Sequence, residues 1–382
     1  MEYQGPRIFD VNRQRRRTAL SNHVSSNHQD PTLPDGMFAY QPISPPRISF
    51  LLTSTHLHTF HVRTDIGGRG LIGILKNYSG PTVPLRADID ALPVKELTGL
   101  PYASTKREID IEDGIEKHVM HACGHDMHIA CMLAAAETLW KAKSKWQGKL
   151  VVLFQPNEER GVGARAMIDD GLYDPKRHAC PIPDVVLGQH VMPFAAGQVG
   201  TRKGISGSAA DSFRVTVYGK GGHASQPHMT IDPVFMAANI IVRLQGIISR
   251  EVSPRDAAVI TVSSVIAGMT ENIIADEAVL KINVRNFNPE TRGKVLKSIK
   301  RIVKAECDAS NATKEPLFEP TSNFPFLIND EFITQKLSDS FDEVFGENHT
   351  QNCAPLGGSE DLGSLASEAP NKEAGKGVPS CY

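Results

Sequence analysis

Apolar positions recur along this chain in two rhythms. From Gly70 to Asp90, Leu-Ile-Gly-Ile-Leu, a turn at Asn77 to Pro81 and Thr-Val-Pro-Leu-Arg-Ala-Asp-Ile-Asp read as two strands and a connection. Ile129, Met132, Leu133, Ala136 and Leu139 then fall at three- and four-residue steps, which predicts an amphipathic helix over 128–143. Lys149–Phe154 reads as a short apolar strand, Val162–Gly171 as a helix stopped by glycine, and Asp184–Gly188 as another strand. Strands alternating with helices at these spacings predict an α/β fold, with a mostly parallel sheet and helices on both faces.

At Ser212 the texture changes. Phe213, Val215 and Val217 alternate with polar residues, a Gly-rich turn follows, and a helix is predicted from about Pro233 to Ser249. Strands at Ala258–Val265 and Ala278–Arg285 and a helix from Pro289 to about Ala309 complete a unit the size of a small α+β domain. It reads as an insertion, because a helix at Asp330–Phe345 resumes the earlier style. The expected partition is an α/β domain over 48–211 and 315–382, an inserted domain over 212–314, and a disordered tail over 1–47, rich in Ser, Asn, Gln, Pro and Arg without a period.

Composition narrows the class. Lys and Arg number 41 against 43 Asp and Glu, a net charge of −2, so no basic field gathers nucleic acid. No apolar run approaches the roughly 20 residues of a membrane helix, so no membrane partner is expected. Six cysteines (Cys123, Cys131, Cys180, Cys307, Cys353, Cys381) lie scattered without C-x-x-C spacing, which argues against a disulfide framework and for a reducing compartment. The start, Met-Glu-Tyr-Gln, has no leader-like apolar segment, and Glu2 and Asp10 oppose a transit-peptide reading of Arg13, Arg15, Arg16 and Arg17. A cytoplasmic location is expected.

The densest chemistry is His118, His121, Cys123, His125, Asp126 and His128, just ahead of the predicted helix. Imidazole and thiolate at this spacing suit a borderline-soft divalent ion, with Asp126 able to orient a ring. The same residues also admit a polar helix cap, or a thiol nucleophile activated beside a histidine. Glu158 and Glu159 follow the strand Lys149–Phe154, at the end where α/β folds place their sites. Two adjacent buried carboxylates repel unless a cation separates their roles, one ligating and one taking a proton from water; a solvated pair favouring a helix dipole is the plain alternative. His190 follows the next strand, and Asp88 and Asp90 share a face at the end of a fourth, where they suit either ligand orientation or a turn.

Four stretches together are specific: Pro84-Leu85-Arg86-Ala87-Asp88-Ile89-Asp90-Ala91-Leu92-Pro93, His121-Ala122-Cys123-Gly124-His125-Asp126, Gln155-Pro156-Asn157-Glu158-Glu159 and Gly219-Lys220-Gly221-Gly222-His223-Ala224-Ser225. Through them the chain resembles, from about Ile66 to Asp361, the aminoacylase-type metallo-amidohydrolases, relatives of hippurate hydrolase, N-acyl-amino-acid deacylases and auxin-conjugate hydrolases. The resemblance implies a small N-acyl or aryl-acyl amino acid substrate cleaved at its amide bond. It implies two divalent ions, zinc or manganese, on Cys123, His125, Glu159 and His190, with Glu158 as general base. It further implies that the inserted region is a lid and dimerisation domain of a homodimer, in which His223 stabilises the oxyanion. Asn272 and Arg285 resemble positions that face substrate, and Arg285 suits a carboxylate. Gly357-Gly358-Ser359-Glu360-Asp361 resembles the family's Ser-Glu-Asp stretch.

The chain departs from the family at both ends. The family's first helix is not recognisable before Asp65, and the chain stops at Tyr382 before the family's last histidine ligand; His349 matches no motif. Fewer ions and a catalytically impaired or silent dimerising relative are therefore the alternative to an active amidohydrolase. A cysteine-nucleophile hydrolase is the third reading.

Overall fold

The computed structural model describes residues 48, 49, 52, 59–110, 114–370 and 380–382, so the expectation for 1–47 falls outside the described residues. Ten strands form the two larger sheets: β1 His61–Ile66, β2 Gly70–Asn77, β3 Thr82–Asp88, β4 Gly148–Gln155, β5 Val186–Gly188, β6 Ala209–Tyr218, β7 Ala258–Ala267, β8 Glu277–Asn286, β9 Leu317–Phe324 and β10 Ser380–Cys381. These helices accompany them: α1 His125–Lys141, α2 Gly163–Asp169, α3 Pro233–Arg250, α4 Pro289–Ala309, α5 Glu331–Phe345 and α6 Leu362–Ser367.

The first sheet runs β1-β2-β4-β3-β5-β10. β4, β3, β5 and β10 are parallel, while β1 and β2 join antiparallel at one edge. The strands β2 and β3, consecutive in sequence, do not pair; β4 lies between them. Buried side chains of β4 alternate between the two faces. Val151 and Leu153 pack with Met167 of α2 and Leu365 of α6, and Leu150, Val152 and Phe154 pack with Ile129, Met132 and Ala136 of α1. Fully burying each such large side chain stabilises the fold by about 1.5–3 kcal/mol, so both faces need their helices. Ile48 and Leu52 are buried in the α1-side cluster.

The second sheet, β7-β8-β6-β9, is wholly antiparallel. One face is covered by α3 and α4, whose Ile240, Leu244, Val295 and Ile299 pack on Val215, Val217, Leu280 and Val284. Each helix starts at a side-chain cap followed by proline: Asp232 accepts from Val234 and Phe235 N–H, and Asn288 from Glu290 and Thr291 N–H. This layer reaches beyond the expected limits of 212 and 314. β6 begins at Ala209, and β9, which the pattern assigned to the α/β segment, hydrogen-bonds along β6 from Thr216 to Ala210. Its alternation is weak because it is an edge strand with most side chains at least partly exposed.

Candidate metal centre

Three strand ends and one helix start converge on one point. β3 ends at Asp88, two residues before Asp90; β5 ends at Gly188, two residues before His190; α1 starts at His125, two residues after Cys123. β4 ends at Gln155, after which Asn157 takes φ 55° and turns the chain into the short 3-10 turn Glu158–Arg160. Gly124 joins the two residues of the helix start, with φ 82°, and a Cβ there would stand 2.4 Å from Val191 Cγ2. Only glycine meets both demands, so Cys123 and His125 can approach the loop carrying His190.

Cys123 Sγ, a ring nitrogen of His125 and a carboxylate oxygen of Glu159 lie within 4.8 Å of one another, and so do ligand atoms of Asp88, His125, His128 and His190. Cys123 Sγ is 3.4 Å from His190 Nε2. The hydrogen bonds fix which nitrogen of each ring is open. His125 Nδ1 faces Asp90 O at 3.0 Å and Asp90 Oδ1 at 3.1 Å, and His190 Nδ1 faces Val191 O at 2.6 Å. These partners only accept, so each ring carries a proton on Nδ1 and turns Nε2 toward the other donors of the cluster. His125 Nε2 and Glu159 Oε1 are buried without a hydrogen-bond partner among the described residues. A buried polar atom left unpaired costs about 1–3 kcal/mol, and here such atoms converge with a thiol and a second imidazole. This donor set fits a divalent transition-metal ion such as zinc.

The electrostatics agree. Burial disfavours a charged His125, but the hydrogen bond to Asp90, the Cys123 thiol and the Asp88 carboxylate outweigh it and push its pKa up to about 11. The negative field that draws a proton there draws a cation equally. Burial lowers the pKa of His190, which keeps it neutral and able to ligate. Burial and the Asp90 charge raise that of Glu159.

Beneath this cluster lies Arg86, whose side chain is 0% exposed. Its guanidinium donates to Asp88 Oδ2 at 2.8 Å, to Glu360 Oε1 at 2.8 Å and Oε2 at 3.1 Å, and to Gln155 Oε1 at 3.0 Å. Carboxylate oxygens of Glu158, Glu360 and Asp361 lie within 4.8 Å of one another, all three residues buried. Burial and then the Glu360 charge raise the Glu158 pKa well above the carboxylate range, with Arg86 pulling the other way. Such burial among like charges favours the protonated form of Glu158.

A cavity of about 690 Å³ opens over the cluster, lined by Cys123, Glu158, Glu159, His190, Arg285, Phe324, Glu360 and Tyr382 among others. Arg285 comes from β8 of the second sheet and donates to Gly357 O at 2.8 Å and Ser359 Oγ at 3.3 Å. His223 and Asn272 are not among the lining residues. They lie together on the second layer, where His223 pairs with Ile273, Ala224 N–H donates to Asn272 O at 3.0 Å, and both side chains are exposed. His349 is buried between Asp342 and Thr201, at 2.7 and 2.9 Å, and does not line the cavity. Sequence reasoning missed Arg86 as the cluster's counter-charge. The signal was present: a cation between Leu85 and Ala87 in an apolar strand requires buried partners. Tyr382, with its ring 6.3 Å from that of His190, gave no such signal.

A parallel sheet with thiol, imidazole and carboxylate donors at its carboxyl edge, joined to a small α+β layer, defines a metal-dependent hydrolase. The profile of peptidase family M20/M25/M40 matches residues 85–379. The chain is 38% identical over 307 residues to "Hippurate hydrolase" of Campylobacter jejuni, covering 80% of this chain and 75% of that protein. It is 40% identical over 262 residues to "N-acetyl-L-cysteine deacetylase" of Bacillus subtilis, covering 68% and 58%. The crystal structure of Bacillus subtilis YXEP protein, a dinuclear metal binding peptidase from the M20 family, superposes with a TM-score of 0.66 at 25% identity, covering 90% of this chain and 84% of that one. The chain belongs to peptidase family M20/M25/M40, whose members here are amide-bond hydrolases. Among the described residues no helix is long and apolar enough to cross a membrane.

Proposed function

We propose that this chain hydrolyses the C–N amide bond of an N-acyl or aryl-acyl amino acid, the chemistry its hippurate hydrolase and N-acetyl-L-cysteine deacetylase relatives are named for. One observation carries the reading: the open Nε2 of buried His125 and the unpaired Oε1 of Glu159 meet the Cys123 thiol beside His190. Cys123, His125, Glu159 and His190 would hold two divalent ions, zinc or manganese. When bound, such ions supply Lewis acidity toward the scissile carbonyl and lower the pKa of water.

The chain's own residues account for the rest. Glu158, buried beside Glu159 with a raised pKa, takes the proton from the attacking water and delivers it to the departing amine. Arg285 faces the cavity from the second sheet and pairs the substrate carboxylate. His223 and Asn272, exposed on the 212–314 lid domain, serve the cavity of a partner subunit in a cytoplasmic homodimer, with His223 donating to the developing oxyanion. The exposed Val259, Val265 and Ile266 of β7 supply an apolar edge for that association.

The test is a panel of N-acyl amino acids assayed before and after chelation. Activity should vanish with chelator and return with Zn²⁺ or Mn²⁺, and Glu158→Gln should hold metal without turnover. Turnover in that variant would overturn the assignment. The Cys123–His190 contact also suits a thiolate nucleophile; alkylation that kills activity while chelation spares it would select that reading.

A further inference from the structure

His128 is a buried histidine of the cluster that the reaction above leaves unused. It is 0% exposed, on the first turn of α1. The Val191 N–H donates to its Nε2 at 3.0 Å, so that nitrogen holds the lone pair. Its Nδ1 then carries the proton and donates to Asp88 Oδ1. Both ring nitrogens are thereby held by Asp88 and Val191, whereas His190 turns Nε2 toward Cys123 Sγ and His125 turns Nε2 toward Glu159 Oε1. The His128 ring also stacks on His125, with centroids 5.3 Å apart, and meets His190 edge-on at 4.5 Å.

The Val191 peptide is consequently held from two sides: its N–H by His128 and its carbonyl by the Nδ1–H of His190. We infer that His128 is a positioning residue that, through Val191, aims His190 Nε2 at the ion shared with Cys123. This inference rests on the metal reading of the site. Such outer partners of a metal-binding imidazole fix its orientation, and their removal costs about 10–100-fold in metal affinity.

Two uncharged variants isolate the link. Asn at 128 keeps an amide N–H toward Asp88 but ends short of Val191, whereas Gln reaches far enough to accept from the Val191 N–H. The readouts are Co(II) affinity by chelator competition on the full chain, the Co(II) visible spectrum, and the melting temperature of the metal-free protein. His128→Gln should bind within about threefold of wild type, and His128→Asn about 10–100-fold more weakly, with the thiolate charge-transfer band of Cys123 kept in both. A purely structural role would lower melting and affinity of both variants in step. Wild-type affinity in His128→Asn, or equal losses in the two variants, would overturn the inference. Wild-type protein that fails to bind Co(II) would instead overturn the metal reading, and this inference with it.

Discussion

The backbone N–H of Glu159 donates to Asp90 Oδ2 at 2.9 Å, joining residues 69 positions apart. The other oxygen of the same carboxylate lies 3.1 Å from His125 Nδ1. One side chain therefore orients two proposed ligands from two elements, the helix α1 and the turn after β4. Asp90→Asn cannot substitute, because one of its two ends would present an N–H to an N–H. Both Asp90→Ala and Asp90→Asn should lose about 10–100-fold in metal affinity, measured by chelator competition. Wild-type affinity in the Asn variant would show that Asp90 serves only the turn.

Arg86 carries the opposite burden. It faces Asp88 and Glu360 at 2.8 Å and Asp361 Oδ1 at 3.5 Å, with its own side chain fully buried. Breaking a buried ion pair from one side costs about 3–5 kcal/mol, because the remaining charge is uncompensated. Arg86→Leu should lose about that much in urea unfolding of the metal-free protein. Adding Glu360→Leu should recover part of the loss, and a double variant no better than the single would refute the charge argument.

The metal-free protein should become less stable as pH rises from about 4 to 9. Burial and the Glu360 charge push Asp361 up to about 8 against the pull of Arg86, whereas an unfolded Asp titrates near about 3.9. Between those values the native state holds a proton that the unfolded state releases, so this stability is full below pH 4 and is lost as pH rises through about 8. His125, raised to about 11, adds loss in the same direction from its unfolded value of about 6.5 upward. Bound metal reverses the sign over the same range, since its ligands bind deprotonated. Calorimetry at pH 5.5 and 8.5 should show melting falling by several °C without metal and rising with it. Parallel slopes in the two forms would contradict this account.

Much of this arrangement was legible in the residues. The alternation of apolar strands and helices placed α1, β4 and β5 within a few positions, because buried parallel strands and an amphipathic helix leave strong periods. The strand-end positions of Glu158, Glu159 and His190, with Cys123 just ahead of a predicted helix, pointed to one edge of the sheet. What stayed hidden depends on pairing at long range. Nothing local says that β4 separates β2 from β3, or that β9 completes the second sheet from an exposed edge. Likewise Asp90, legible as a candidate orienter, shows its double role only once His125 and Glu159 stand on either side of it.

Arg285 tests the reach of the second layer into the cavity. It crosses from β8 to Gly357 and Ser359. A charge-assisted hydrogen bond to a carboxylate contributes about 1.5–3 kcal/mol, so Arg285→Met should raise KM for an N-acyl amino acid by about 10–100-fold, with kcat changed much less. A variant that instead melts several degrees lower with unchanged KM would make Arg285 a tether of the 357–359 loop.

Gly124 provides the sharpest local test. Its φ of 82° disfavours any side chain, and a Cβ would meet Val191 Cγ2 at 2.4 Å. The backbone conformation alone costs a non-glycine residue about 1–3 kcal/mol, and the clash adds to it unless the loop moves. If the loop moves, His190 moves with it, because its ring is bonded to the Val191 carbonyl. Gly124→Ala should therefore weaken metal binding more than its loss of stability explains. Removing the obstructing methyl groups with Val191→Ala in the same chain relieves the clash but leaves the φ penalty. The double variant should regain metal affinity while staying less stable than wild type, read by chelator competition and urea unfolding on the same samples. Neither recovering would show that backbone strain rather than the approach to Val191 makes glycine necessary here, and full recovery of both would show that the φ of 82° costs nothing.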